Sequence, residues 1–277
     1  MVNILVPTDF SDLSRVAVQY AFRIVNKLGG SVTLLHVVGT SETVRATMRR
    51  QVQSVERELV ETAIEDIEAL LKEVSKNIRT IQPVRYKVVK GKSFSETVTR
   101  VAKRLRMGLI IMGTKGAGGL KKVVMGSNTT SIIEASHIPV LAVPVKAEFK
   151  NFRNIIYATD LKNLEKELKI LVPYVERFGA VIHLLHVLPN GREITNVEEK
   201  IEKTVKKLKY ENMVTLVLVD RNIDAAIAQY IDVSKADMLA MFTHELNFYE
   251  KLFDRSYTRR MAFHSKVPLL AFKHSKS

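Results

Sequence analysis

Apolar and polar positions alternate in two rhythms along this chain, and the rhythms succeed one another twice. The first stretch, ILVPT over 4–8, is a short apolar run of strand length. Val16, Ala17, Tyr20, Ala21, Ile24, Val25 and Leu28 then recur at i, i+3, i+4 spacing, which predicts one buried helix face. Gly29 and Gly30 follow as a C-terminal stop. Residues 31–38 read as a second strand. Met48, Val52, Val55, Leu59, Ala63, Ile67, Leu70 and Val74 mark a long amphipathic helix with a mostly charged outer face. A third strand is expected over 84–89. Ser93 and Glu96 have capping-box spacing and open a third helix. Strand four falls at 109–112, a short helix near 127–136, and strand five at 139–143. Strands separated by helices predict a parallel, doubly wound α/β sheet.

The pattern then repeats. NILVPTDFSDLS from Asn3 returns as NIIYATDLKNLE from Asn154, and VTLLHVV (32–38) as IHLLHVL (182–188). LIIMG (109–113) returns as LAMF (239–242), and IPVLAVP (138–144) as VPLLAFK (267–273). The offsets are 151, 150, 129 and 129 residues, so one deletion separates the second match from the third. The expectation is two units, 1–146 and 153–277, joined by the short polar linker 146–153, each burying its own core.

Composition narrows the function. The chain has 277 residues and no Cys, which excludes disulfides, thiolate metal sites and a Cys nucleophile. His183 and His186 are three apart on a predicted strand, hence on opposite faces, and make poor metal-ligand partners. No run approaches the ~18 apolar residues of a membrane span. The N-terminus lacks the basic n-region of a signal peptide. A cytoplasmic protein that does not enter the membrane is the expectation. The formal net charge is +14, and residues 1–146 supply +10 of it against +4 for the remainder. An anionic partner is therefore expected to meet the first unit.

Ligands of open parallel sheets bind beyond the C-terminal strand ends. After strand four the chain runs from Gly113 to Thr129 with five Gly, three Lys, no acid and several hydroxyls. Glycines let main-chain N–H groups converge on an anion. Ser127, Asn128 and Thr129 stand where a helix begins, with free donors and the positive end of its dipole. This is the composition of a phosphate cradle. It matches neither the Walker A spacing nor the dinucleotide-binding Gly-x-Gly-x-x-Gly.

The spacing Gly113-x2-Gly116-x9-Gly126-Ser127 after an apolar strand resembles the nucleotide-binding motif of the universal stress protein family. Pro7-Thr8-Asp9 after strand one, His36-Val37 at the end of strand two and Pro139-Val140 in strand five resemble that family too. The likeness recurs in each unit, so the chain is identified as a tandem member. The resemblance implies two Rossmann-like five-stranded sheets of order 3-2-1-4-5, packed as an intramolecular pseudo-dimer. It implies an adenine nucleotide as cofactor: ATP, or AMP or ADP, with or without Mg. Gly113, Gly116, Gly126, Ser127 and Thr129 would then hold phosphates and ribose, and Asp9 and the main chain near Val37 the adenine and ribose side. Pro7, Thr8, Met112 and Asn128 complete the implied site; Asn128 stands where family members more often carry an apolar residue. Asp9 reads equally as a turn acid after strand one, and His36 and His186 as fillers of a strand end.

In the second unit Gly113 aligns with Phe242, Gly116 with Glu245, Gly126 with Arg255 and Ser127 with Ser256; Asp160 is retained, and Ala158 replaces Pro7. The expected function is therefore a stress-response or regulatory module that holds its nucleotide in the first unit only. The alternatives are a slow ATPase or phosphotransferase, and a nucleic-acid binder suggested by charge alone. No catalytic set is apparent, so at most weak ATP hydrolysis is expected. Partners are the nucleotide and a protein of unknown kind, with the chain a monomeric pseudo-dimer or a homodimer.

Overall fold

The computed structural model describes residues 1–39, 49–114, 126–243 and 267–273. Among these, a first unit ends at Val145 and a second begins at Lys146. The first runs β1 (Val2–Pro7), α1 (Asp12–Leu28), β2 (Gly30–Gly39), α2 (Arg49–Asn77), β3 (Val84–Gly91), α3 (Phe94–Arg104), β4 (Leu109–Gly113), α4 (Ser127–Ala135) and β5 (Val140–Val143). Its strands are all parallel, in the order β3-β2-β1-β4-β5. The second runs β6 (Asn154–Ala158), α5 (Leu164–Val175), β7 (Val181–Leu188), α6 (Ile194–Val205), β8 (Met213–Val219), α7 (Ile223–Ser234), β9 (Met238–Thr243) and β10 (Leu269–Lys273). Its order is β8-β7-β6-β9-β10, again parallel.

The central strands are buried on both faces, which is why they read as unbroken apolar runs rather than alternating ones. Ile4, Leu5, Val6, Ile110 and Ile111 are fully buried, as are Ile155, Ile156 and Tyr157 in the second unit. Local signals set the helix ends. Ser11 caps α1 by accepting the Ser14 N–H, and Ser93 caps α3 by accepting the Glu96 N–H. Gly29 closes α1 at φ 70°, its N–H returning to the Val25 carbonyl. Gly30 follows at φ 136°, where a Cβ would lie 1.9 Å from the Val2 carbonyl oxygen. No other residue fits there.

The registers reproduce the sequence offsets. Ile4 pairs with Val32 as Ile155 pairs with Ile182, and Ile110 with Val140 as Leu239 with Leu269. Val32 pairs with Val84 as Ile182 pairs with Met213. The deletion therefore lies wholly in one crossover, where the 29-residue α2 is matched by the 12-residue α6.

The predicted apolar face of α2 needs correction. Ala63, Ile67, Leu70 and Val74 are buried, but Val55 and Leu59 are 54% and 47% exposed. A 29-residue helix is about 44 Å long. The ten-residue β2 beside it spans about 33 Å. The helix is still covered at its second turn, where Glu56 meets Lys90 of β3 at 2.5 Å; the covered stripe runs back from Val74, Leu70, Ile67 and Ala63 to Val60 and Glu56, and Val55 and Leu59 lie beside it.

No described helix is long and apolar enough to cross a membrane.

Candidate functional site

Because the sheet is parallel, the C-terminal ends of β1, β2 and β4 share one edge, and α4 begins on that edge too. After β1 the chain turns through a fixed set of bonds. The Thr8 N–H bonds the Leu35 carbonyl at 2.9 Å. The Thr8 hydroxyl donates to Ser14 Oγ at 3.1 Å and accepts the Phe10 N–H at 3.1 Å. Phe10 takes φ 64°, a left-handed conformation that an aromatic residue adopts only when its surroundings hold it there. Its ring stacks on His36 with centroids 4.7 Å apart. His36 Nδ1 lies 2.9 Å from the Thr8 carbonyl oxygen, and a carbonyl can only accept, so Nδ1 carries the proton. His36 is thus a pin between β2 and the β1–α1 turn rather than a filler.

Asp9 is exposed, and its Oδ1 accepts both the N–H and the hydroxyl of Ser11. Partial burial pushes its pKa up, but the bonds from Ser11 outweigh that and hold the carboxyl below its usual range. It is therefore ionised at neutral pH. The turn-acid role foreseen for Asp9 is present in the structure, and the carboxylate still faces solvent at the strand edge.

At the end of β4, Gly113 sits against α1. A Cβ there would lie 2.7 Å from the Leu13 carbonyl oxygen and 2.8 Å from Leu13 Cβ. The bare glycine lets the first turn of α1 close on β4, a packing reason that spacing alone did not reveal. Thr129, 2% exposed, donates its hydroxyl to the Gly113 carbonyl at 3.0 Å and ties α4 to β4. Gly126 is the N-cap of α4 in extended conformation, with no side-chain cap bond, and the first turn carries no acid. Ser127 and Asn128 on that turn are exposed.

The predicted residues thus fall into two groups. Asp9, Val37, Gly113, Gly126, Ser127 and Asn128 are at least partly accessible, while Pro7, Thr8, Met112 and Thr129 are buried beneath them. Gly116 lies outside the described residues. Ser11, Ser14, Leu13 and His36 escaped the sequence reading as site supports. The Ser-x-x-Ser spacing just before an apolar-periodic run was the available signal for the first two.

The second unit rebuilds the same turn. The Leu161 N–H bonds Thr159 Oγ1 at 3.0 Å and Leu161 takes φ 63°. The Lys162 N–H bonds Asp160 Oδ1 at 3.0 Å, and His186 Nδ1 lies 2.8 Å from the Thr159 carbonyl. What differs is the filling. Phe242 stands at the place of Gly113, 5% exposed, stacked on Phe272 at 4.7 Å and edge-on to Tyr157 at 6.0 Å. Its Cβ and ring need the space that Leu13 takes in the first unit. Correspondingly α5 begins at Leu164, one residue later in the repeat than α1, behind an Asn163 with no side-chain cap bond. Tyr157 and Glu167, at the places of Val6 and Val16, form a buried hydrogen-bonded pair. The Asp160 carboxylate is met by Lys162 Nζ at 3.3 Å. Glu245, Arg255 and Ser256 lie outside the described residues.

Comparison with known proteins gives the same answer twice over. The model of the universal stress protein family matches residues 1–144 and again 151–273. The chain is 29% identical over 155 residues to universal stress protein MJ0577 of Methanocaldococcus jannaschii, covering 52% of this chain and 95% of that protein. Universal stress protein MJ0531 of the same organism is 29% identical over 144 residues, 51% of this chain and 81% of its own. Over the whole length, the fold is that of a universal stress protein from Archaeoglobus fulgidus, with a TM-score of 0.65 at 19% identity, covering 99% of this chain and 97% of that one.

Proposed function

The chain belongs to the universal stress protein family, and on that premise we propose that its first unit binds one adenine nucleotide, ATP or its relatives AMP and ADP, while its second unit binds none. The protein acts as a stress-response or regulatory module whose nucleotide occupancy biases one conformation or assembly. One observation carries this reading. In the first unit the bare Gly113 lets the first turn of α1 close on β4 at the edge where the uncapped, acid-free first turn of α4 begins, and at equivalent register the second unit carries Phe242, which does not permit that closure.

The residues fit the ligand's chemistry. The N–H groups of the first turn of α4, with the Ser127 hydroxyl and Asn128 amide beside them, suit phosphate oxygens. Lys115, Lys121 and Lys122 stand in the sequence between Gly113 and Gly126 and add positive charge. The ionised Asp9 carboxylate suits ribose hydroxyls as an acceptor, and main-chain groups near Val37 suit the adenine edge. A Mg2+ ion, where present, comes with the phosphates. The second carboxylate of that turn, Asp12, is paired with Arg15, and His36 Nδ1 is held on the Thr8 carbonyl, which favours a site that holds ATP over one that turns it over quickly.

The test is thermal unfolding with and without nucleotide, on the parent and on Gly116→Glu, which copies the second unit's residue. At 100 times its dissociation constant a ligand stabilises by about 2.7 kcal/mol. ATP should raise the parent's transition and leave the variant's unchanged, with the two unfolding alike in its absence. A parent indifferent to ATP, ADP and AMP refutes the reading; a variant stabilised as strongly as the parent refutes the phosphate assignment.

A further inference from the structure

β3 ends the first unit's sheet and β8 ends the second's, and the sequence treats the two edges differently. β3 carries Arg85, Lys87 and Lys90, the charges that keep an edge strand from pairing with another chain. β8, MVTLVLV, is seven residues long with no charge, no Pro and no Gly. It pairs with β7 on one side, and among the described residues no strand lies on its other side. Val214 and Val219 are 48% and 49% exposed. An uncharged, β-branched edge of this length is a template for another strand.

The direction of its free groups follows from two bonds. The Ile182 N–H bonds the Asn212 carbonyl, and the Asp220 N–H bonds the Leu188 carbonyl, both at 2.9 Å. Even-numbered residues from 212 to 220 therefore direct their main-chain groups at β7. Met213, Thr215, Val217 and Val219 direct theirs away. The Met213 N–H is used locally, bonding the Glu211 carbonyl at 2.8 Å.

We propose that β8 is a homodimerisation edge, with two copies of the chain pairing antiparallel through it about a two-fold axis at Leu216. In this register Thr215 faces Val217 of the other copy and Met213 faces Val219. All four belong to the outward-directed set: Thr215 and Val217 form full hydrogen-bonded pairs of an antiparallel ladder, and Met213, its N–H held by Glu211, accepts the Val219 N–H through its carbonyl. Val214 faces Leu218 and Leu216 faces itself, so both exposed valines gain apolar partners. The charges just beyond the strand fix the register. Glu211, exposed, falls opposite Arg221, also exposed, and the symmetry makes that pair twice. Sliding the register by one outward-facing position toward Thr215 sets Lys209 opposite Arg221 instead, and sliding it toward Val217 leaves Arg221 opposite Met213. Self-pairing of β3 about Lys87 would oppose like charges directly. The second copy is therefore the occupant that complements β8 in both shape and charge.

The absence of Cys makes a clean test possible. Leu216→Cys in the full chain places the two thiols opposite each other in a non-hydrogen-bonded pair, within disulfide reach. Mild oxidation should yield a covalent dimer on non-reducing gels. Val219→Cys, facing Met213 rather than itself, should not cross-link. In sedimentation equilibrium of the full chain, Glu211→Arg or Arg221→Glu should each weaken dimerisation roughly tenfold by opposing like charges at two symmetric sites. The double reversal E211R/R221E should restore it. Leu216→Cys that stays monomeric on oxidation, or a double reversal as weak as the singles, overturns the proposal.

Discussion

Replacing Gly113 by Ala adds one methyl group where the structure has no room for it. The new Cβ would lie 2.7, 2.8 and 2.9 Å from the carbonyl oxygen, Cβ and carbonyl carbon of Leu13. Ordinary carbon contacts need about 3.5–4.0 Å. Two of the three atoms are main chain, so relief requires the first turn of α1 to retreat by roughly 1 Å. That turn is held by the Ser11 cap and the Thr8–Ser14 bond, and it cannot retreat without loosening them. Overpacking of this kind costs about 1–3 kcal/mol. For a unit of this size, at roughly 2–4 °C per kcal/mol, that corresponds to a transition lowered by roughly 2–12 °C. Calorimetry would read the shift, and hydrogen exchange followed by mass spectrometry would locate it. Amides of α1 and β4 should exchange faster, with those of β6 and β9 unchanged. A variant whose transition and exchange match the parent refutes the packing role of Gly113.

Burial, and then the negative Glu167 beside it, push the Tyr157 hydroxyl pKa far above its usual value. A raised pKa contributes stability that is complete below the unfolded value, about 10, and is lost as pH rises beyond it. Tyr157→Phe should therefore cost about 1–3 kcal/mol at pH 7 and flatten the loss of stability expected above pH ~10, as read by urea titrations across that range. Tyr174, Tyr210 and Tyr230 are shifted the same way and leave a residual slope; an unchanged slope in the variant would show that Tyr157 does not carry it.

The features legible in the sequence were those written in local pattern. Strand runs, helix faces, the Ser93 cap and the Gly29-Gly30 stop each depend on residues close in the chain, and each is found in place. The duplication was legible because strand registers cannot slip without turning buried side chains outward, so the offsets survived to residue precision. Strand order came from the family resemblance, since periodicity does not say which strands are neighbours. The contacts that shape the edge were not legible. Gly113 against Leu13 joins residues 100 positions apart, and His36 to Thr8 joins a side chain to a carbonyl that has no sequence signature. The face of α2 was misread in its first turns because the apolar Val55 and Leu59 lie one position off the stripe of Glu56 and Val60 that the sheet covers, and a polar Glu56 gives no apolar signal. Tyr157 with Glu167 escaped because two polar residues ten apart read as ordinary surface until burial shows them paired.

On the function proposed above, a duplicated fold has kept one nucleotide site and lost the other. Isothermal titration of the full chain, stripped of any co-purified nucleotide, with ATP measures it most directly. The account predicts one site per chain, abolished by Gly116→Glu. A stoichiometry of two would show that the second unit still binds despite Phe242, and no binding heat at any accessible concentration would show that the first unit is not a nucleotide site.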